Sequence, residues 1–146
     1  MFASDEEALE AAEAAFKEYA SVANTVLQEG GRDPERIRPL VSDEVWESDL
    51  ADAERWQSEG WTSKGSTTVE TATLQQVIDG NGTPTEVIAY LCLSNRDVDV
   101  VDSEGRSVIS SDRAEAYVVE AVVSFEELDS WTIEAYEQTE TVDSCG

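Results

Sequence analysis

Histidine is absent from this sequence of 146 residues. It is the commonest proton-transfer group near neutral pH and the commonest ligand of transition metals in proteins, so a serine–histidine–aspartate triad is excluded. The sequence has only two cysteines, and their wide separation argues against a structural zinc site. It also contains no glycine-rich phosphate loop and no dinucleotide-binding fingerprint. We therefore predict no metal and no cofactor.

Basic residues are scarce. Nine lysines and arginines stand against 33 aspartates and glutamates, which gives a net charge of −24. A surface this negative repels phosphate backbones, so nucleic acid is not expected as a direct ligand. The acidic residues are spread along the chain, as is typical of a generally solvated surface. Adaptation to high salt and mimicry of a nucleic acid are the alternatives that the composition leaves open.

Long hydrophobic runs are also missing. None approaches the length of about 18 residues that can span a bilayer, and the longest, Val87 to Leu93, has the length of a buried strand. We expect no transmembrane segment. Met1 is followed by an acidic segment instead of the basic and apolar pattern of a secretory signal. A signal or lipid anchor in a longer native precursor is compatible with this pattern.

The first part of the chain has helical periodicity. From Asp5 to Gln28 apolar residues recur every three or four positions, which predicts one long amphipathic helix. Ser4 is its predicted N-cap, and Glu7 is placed to complete a capping box. The pair Gly30-Gly31 is expected to end it.

Two further helices are predicted before the pattern changes. A short one has Asp33 as its expected cap and Pro34 at its first position, and Pro39 limits it. A third runs from about Ser42 to Ser58 and stops at Gly60.

After Gly60 the sequence alternates with the period of strands. The run Asp79-Gly80-Asn81-Gly82 is typical of a hairpin turn. The strand that follows it is apolar on both faces, which predicts an inner strand. The predicted strands are Ser66 to Ile78, Glu86 to Asn95, Val98 to Val101, Ser107 to Ile109, Glu115 to Phe125 and Ser130 to Thr139.

Helices followed by antiparallel strands are typical of an α+β fold. We predict a single domain over residues 1–146, with a helical part at 5–59, a sheet at 61–139 and a tail at 140–146. The N-terminal helices are expected to pack on one face of a curved antiparallel sheet. Such curvature leaves a cavity between helices and sheet, which is the default place for a ligand.

Five segments of the chain are distinctive: Gly30-Gly31-Arg32-Asp33-Pro34-Glu35-Arg36, Thr73-Leu74-Gln75-Gln76, Ala89-Tyr90-Leu91-Cys92-Leu93, Asp112-Arg113 and the terminal Cys145. Together with the order of elements, they resemble secreted or lipid-anchored proteins of actinobacteria with a nuclear transport factor two-like (cystatin-like, SnoaL-like) cone fold. The resemblance covers nearly the whole chain.

This resemblance implies a cone-shaped fold, a disulfide between Cys92 and Cys145 that pins the tail, and an extracellular or cell-surface setting. It implies no catalytic residue. The residues themselves leave open the alternative of two unpaired thiols, with Cys92 as a small core residue. If the bond forms, an oxidising compartment is favoured.

Two carboxylates are candidates for acid–base chemistry. Asp49 falls within the apolar arc of the third helix, so it either faces the core or a cavity, or reaches water or an arginine at the edge of the arc. Glu120 lies in a strand between those of Tyr90 and Tyr136. It either points into an apolar space, where burial would raise its pKa, or lies on the outer, solvated face of the sheet.

A candidate calcium site is the cluster of Asp97, Asp99, Asp102 and Glu104, which lie close together in the sequence. The spacing fails the EF-hand pattern at its fifth position, which is Val101, and no glutamate stands at its twelfth. A solvated hairpin is the favoured interpretation.

The leading interpretation is a non-catalytic, secreted or surface-attached domain that binds an unidentified small molecule, polymer or protein. One alternative is an enzyme of the ketosteroid isomerase or polyketide cyclase kind, with Asp49 or Glu120 as acid or base and Tyr90 or Tyr136 as hydrogen-bond donor. This rests on analogy between related cone folds. A second alternative is an acidic inhibitor that imitates nucleic acid. The oligomeric state is open, and a homodimer through the open sheet face is one arrangement.

Overall fold

The computed structural model describes residues 1–79, 84–139 and 145. Its helical part consists of α1 (Asp5–Gln28), two 3-10 turns (Pro34–Arg36 and Arg38–Leu40) and α2 (Asp43–Glu59). The predicted long first helix and the later helix ending at Gly60 are confirmed. Gly60 closes α2 in the left-handed conformation at φ 71°.

The start of α1 is fixed by the predicted cap. The Ser4 hydroxyl accepts a hydrogen bond of 3.1 Å from the backbone N–H of Glu7. The Glu7 carboxylate accepts one from the backbone N–H of Ala3, also at 3.1 Å, where a standard capping box would use the N–H of Ser4. The first bond satisfies a backbone donor that the start of a helix leaves unpaired, and the second holds the residue before the cap.

The end of α1 packs tightly against α2 through Gly31. The Gly31 N–H donates to the Val26 carbonyl and the Gly30 N–H to the Leu27 carbonyl, which is the Schellman arrangement. Gly31 has φ +85°, and a Cβ atom built on it would lie 2.4 Å from the Ala53 carbonyl oxygen. Only glycine fits this position, both for its backbone angle and for the close approach of the two helices.

We expect Gly31→Ala to lower the free energy of unfolding by about 2 kcal/mol, because left-handed strain adds to an overlap with backbone. Gly30→Ala is the matched control: Gly30 has φ +76°, but its nearest neighbouring atom would lie 3.5 Å away. It should cost about 1 kcal/mol. Urea unfolding of both variants measures the difference, and equal losses would show that the approach to Ala53 is not the cause.

The predicted short second helix is wrong in type. The segment forms two separate 3-10 turns, and Asp33 has φ 49° and makes no capping hydrogen bond through its side chain. Pro34 and Pro39 leave too short a segment for an α-helix, because proline lacks a donor and crowds the preceding turn.

Within the described part of the chain six strands follow, and they are antiparallel wherever they pair with one another. A four-stranded sheet has the order β2-β3-β5-β6, and β1 and β4 form a separate two-stranded sheet. The predicted inner strand is confirmed, because β3 lies between β2 and β5. The bounds are β1 (Thr62–Lys64), β2 (Thr68–Ile78), β3 (Thr85–Ser94), β4 (Asp99–Val101), β5 (Ala116–Glu127) and β6 (Ser130–Gln138).

The structure differs from the predicted strands at two places. No strand forms over Ser107 to Ile109, where only an isolated bridge joins Ser107 to Val101. The strand β1 was not predicted, since three residues carry no detectable alternation. Of the predicted hairpin turn at Asp79 to Gly82, only Asp79 is among the described residues, and positions 80–82 lie outside them.

The core lies between the helices and one face of the four-stranded sheet. Inward-facing strand residues pack against the buried stripe of α1, and these include Ala89, Leu91, Val119, Ala121 and Ile133. The α+β class, with N-terminal helices packed on an antiparallel sheet, is therefore confirmed. Among the helices of residues 1–79, 84–139 and 145, none combines the length and the apolar character needed to cross a membrane.

Candidate functional site

The carboxylate of Asp49 is buried and lies at the centre of a cluster of polar side chains. Asp49 is only 9% exposed. The hydroxyl of Tyr19, from α1, donates to Asp49 Oδ2 over 2.7 Å, and the hydroxyl of Tyr136, from β6, lies 3.4 Å from Oδ1. These three residues, here called the tyrosine–aspartate cluster, join α1, α2 and β6.

The two tyrosines also contact each other. Their hydroxyl oxygens are 3.0 Å apart. Because the Tyr19 proton is committed to Asp49, the Tyr136 proton is left to point either at the Tyr19 oxygen or at Asp49. The ring of Phe16 packs edge-on against both tyrosine rings, with centroids 5.4 Å and 5.6 Å away. Apolar packing thus fixes the orientation of both hydroxyls.

Burial dominates the electrostatics of the cluster. It raises the pKa of Asp49 from 3.8 to about 6; the nearby Asp52 carboxylate also raises it, while the tyrosine hydrogen bonds lower it. Burial is also the main cause that raises the pKa values of Tyr19 and Tyr136, and the Asp49 charge adds to it. Both tyrosines therefore stay protonated and act as donors.

Two cavities meet at the tyrosine rings. A small cavity of about 100 Å³ is bordered by Asp49, Asp52 and Ile37 on the α2 side. A second one of about 160 Å³, here called the inner cavity, lies between α1 and the sheet. Tyr19 and Tyr136 line both. The rest of the inner cavity wall is mainly apolar and includes Phe16, Ala20, Ala23, Leu27, Val69 and Leu93.

The inner cavity adjoins a surface groove. This α1–β2 groove has a volume of about 410 Å³ and is lined by polar residues of α1, including Lys17 and Gln28, and by residues 66–69. It shares Ala20, Asn24 and Val69 with the inner cavity. A polar groove thus lies beside a mainly apolar cavity, and small-molecule sites commonly combine a few polar groups with an apolar lining.

Side-chain hydrogen bonds hold the two walls of the groove together. The Asn24 amide donates to the Thr67 carbonyl over 2.9 Å and accepts from the Thr67 N–H over 3.1 Å. One turn later, Gln28 donates to the Gly65 carbonyl over 2.7 Å and to the Ser66 hydroxyl over 2.9 Å. The segment before β2 is therefore fixed to α1, and these bonds hold the two walls of the groove in place.

Glu120 and Tyr90 do not share a cavity with Tyr136. Glu120 stands opposite Tyr90 in the register of β3 and β5, whereas Tyr136 stands opposite Ala121, which faces the core. Successive residues of a strand face opposite sides of a sheet, so Glu120 and Tyr90 lie on the outer face. The idea that Glu120 acts in the internal cavity is wrong for this reason.

On that outer face Glu120 has a neutral partner. The Gln75 amide donates to Glu120 Oε2 over 2.8 Å and to the Tyr90 hydroxyl over 2.6 Å. The group is solvent-exposed and bridges three strands. It has the character of cross-strand stabilisation.

Tyr19 is the member of the site that sequence reasoning missed. Tyr19 belongs to the apolar stripe of α1 and is only 4% exposed. A usable signal was present: a buried tyrosine hydroxyl needs a hydrogen-bond partner, and Asp49 within an apolar arc needs a donor. The tyrosine hydroxyl is a donor and the carboxylate is an acceptor, so each could have been proposed as the partner of the other.

The cysteines form a disulfide. Cys92 on β3 is bonded to Cys145, with Cα atoms 5.2 Å apart. Cys92 alternates with the core residues Leu91 and Leu93, so it lies on the outer face of the sheet. The bond ties the C-terminal end of the chain to the face opposite the helices.

The acidic turn after β4 uses its carboxylates for local hydrogen bonds. Asp102 accepts from the backbone N–H groups of Glu104 and Arg106, and Asp99 accepts from the Ser107 hydroxyl over 2.6 Å. Within residues 1–79, 84–139 and 145, no group of three or more potential ligand residues is arranged to hold a metal ion.

Comparisons with known proteins support the fold only. No protein-family model and no curated protein matches this chain. The chain is similar to the crystal structure of the intermembrane space region of the chloroplast protein ARC6, with a TM-score of 0.63 and 13% identity over 89% of this chain and 95% of that one.

A second similarity is to the solution structure of a de novo designed β-sheet protein, at a TM-score of 0.36 and 17% identity over 97% of this chain and 94% of the design. A likeness this weak carries no argument. The resemblance to nuclear transport factor two-like proteins therefore stays a prediction.

Proposed function

We propose that this protein is a non-catalytic binding domain that takes an amphipathic small molecule into the α1–β2 groove, with the apolar end of the ligand in the inner cavity. The observation that carries this proposal is that the two spaces lie side by side and share lining residues, among them Ala20, Asn24 and Val69. Hydrogen bonds from Asn24 and Gln28 preform the groove. A preformed site avoids part of the entropic cost of binding.

The sizes of the two spaces suit such a ligand. The groove, at about 410 Å³, falls within the range of about 300–1,000 Å³ typical of small-molecule sites. The inner cavity, at about 160 Å³, is close to the roughly 150 Å³ that accommodates a benzene ring in an apolar protein interior. A single ring or short alkyl chain is therefore the expected inserted group.

The position of Asp49 favours binding over catalysis. Tyrosine hydroxyls lie at both oxygens of its carboxylate, and the cavity it borders is only about 100 Å³. A substrate of the size that isomerases and cyclases use would not fit beside it. The cluster instead holds α1, α2 and β6 together, as buried polar networks commonly do.

An extracellular or cell-surface setting is part of this proposal. The disulfide between Cys92 and Cys145 supports it, because disulfides persist mainly in oxidising compartments. Mimicry of nucleic acid is not proposed, since the acidic residues are distributed over both helices and most strands.

The test is an NMR titration with phenylbutanol, which has one ring, a short chain and a neutral polar end. We expect amide shifts concentrated at Ala20, Asn24 and residues 67–69. Ala20→Leu should abolish them, because Ala20 lines both the groove and the inner cavity and the larger side chain would take up space in both. Ala14→Leu, at an exposed position of the same helix, is the matched control and should leave them intact.

Far-UV circular dichroism of both variants checks that the fold is retained. Shifts that are scattered over the surface, or that survive Ala20→Leu, would contradict the proposal.

A further inference from the structure

The edge strand β6 presents unpaired backbone groups on its outer side. Thr139 donates its N–H to the Val118 carbonyl of β5 over 3.0 Å. Backbone groups of an antiparallel strand point alternately to one neighbour and the other, so those of Glu137 also face β5. The N–H and C=O groups of Tyr136 and Gln138 must then point away from the sheet.

The first half of this edge is already covered by the protein itself. Val41 bridges to Ile133 in parallel, and the Ser42 N–H donates to the Ile133 carbonyl over 3.0 Å. The Ser42 hydroxyl donates to the Glu134 carbonyl over 2.8 Å. The chain then turns into α2, and among the described residues none hydrogen-bonds to the outward backbone of Tyr136 or Gln138.

A groove runs beside this uncovered half. It has a volume of about 410 Å³ and lies between α2 and β6. Its lining includes the apolar residues Val45 and Ala135 together with Ser48 and Tyr136. The exposed Glu44 and Glu137 also line it. We call it the β6 edge groove.

The charge of the groove selects its occupant. Glu44 and Glu137 are exposed, and neither forms an ion pair with any residue that the structure describes. Pairing between two copies of β6 would bring these carboxylates together in a protein of net charge −24. Like charges oppose such a contact, whereas lysine or arginine side chains would complement it.

We propose that the β6 edge groove binds an extended, lysine- or arginine-bearing peptide segment of another protein, which adds to the sheet as a fifth strand. The outward N–H and C=O groups of Tyr136 and Gln138 supply the main-chain hydrogen bonds, as in other cases of strand addition. Glu44 and Glu137 supply the preference for cationic side chains, and the apolar lining residues Val45 and Ala135 offer contact to the stems of these side chains.

The probe is a fluorescein-labelled hexapeptide of alternating lysine and valine, followed by fluorescence anisotropy. Gln138→Pro removes one outward N–H but leaves the bonds to β5 in place, so we expect about tenfold weaker binding. Glu44→Lys should weaken binding by a similar factor. Glu70→Lys makes the same charge change on β2, at the opposite edge of the sheet, and should have little effect.

A second peptide keeps the proposal testable if Gln138→Pro fails to fold. Methylation of alternate peptide nitrogens retains every charge but blocks strand pairing, and it should abolish binding to the unaltered protein. Equal binding of the methylated peptide, or equal weakening by Glu70→Lys and Glu44→Lys, would reduce the effect to general charge attraction and overturn the proposal. So would a dimer in sedimentation velocity that Gln138→Pro dissociates, because a second copy would then occupy the edge.

Discussion

Replacement of Cys145 by serine is expected to lower the free energy of unfolding by about 4 kcal/mol. The disulfide joins residues 53 positions apart, so its loss frees a long loop in the unfolded chain. It also releases the C-terminal end from β3. Cys145 is the better position to replace because Cys92 is buried. A substitution at Cys92 would also remove packing contacts, and its cost in stability would add to that of the lost disulfide. Chemical denaturation monitored by tryptophan fluorescence measures the difference.

Reductant supplies the internal control. The unaltered protein under reducing conditions should match Cys145→Ser, and the variant itself should not respond to reductant. Intact mass after alkylation should show no added groups before reduction and two after it. If the variant and the oxidised protein unfold at the same denaturant concentration, the bond does not restrain the unfolded chain in the way the loop-entropy account requires.

The sequence was a good guide to the helices and to the order of the main strands. The Ser4 cap, the glycine stops and the period change at Gly60 are local signals, and each has a local physical cause. The failures fell where local signals are weak or compete. A three-residue strand such as β1 has too few residues to show alternation, and its pairing with β4 depends on contacts distant in sequence. The two prolines near Asp33 favoured 3-10 turns over the predicted helix.

The candidate site was predictable in part for the same reason. A helical wheel identifies Asp49 as out of place in an apolar arc, but it cannot tell whether a donor lies opposite. That donor, Tyr19, is 30 positions away, and Tyr136 is 87 positions away. Strand alternation could in principle have separated Glu120 from Tyr136, but which face is buried depends on the side of the sheet that α1 covers.

Asp49→Asn is expected to make the protein more stable above pH 7 and to leave it almost unchanged near pH 4. The folded-state pKa of Asp49 is about 6, above its ordinary value of 3.8. A raised carboxyl pKa means that the neutral form is favoured on folding. This stabilisation is complete below the unfolded-state pKa and is lost as the pH rises through about 6. The shift corresponds to about 3 kcal/mol, which asparagine should restore at high pH because it is always neutral.

The difference in unfolding free energy between Asp49→Asn and the unaltered protein, measured by urea denaturation from pH 4 to 8, isolates this group from the many other carboxylates. It should rise between the unfolded-state and folded-state pKa values, with a midpoint at about pH 5, and level off above about pH 6 to 7. Asp52→Asn is the control, because Asp52 borders the same small cavity but is exposed and near Arg55, so its own difference should be smaller. A flat difference for Asp49→Asn would mean that water reaches the carboxylate. The tyrosine–aspartate cluster would then not be the buried connection between α1, α2 and β6 on which the non-catalytic interpretation depends.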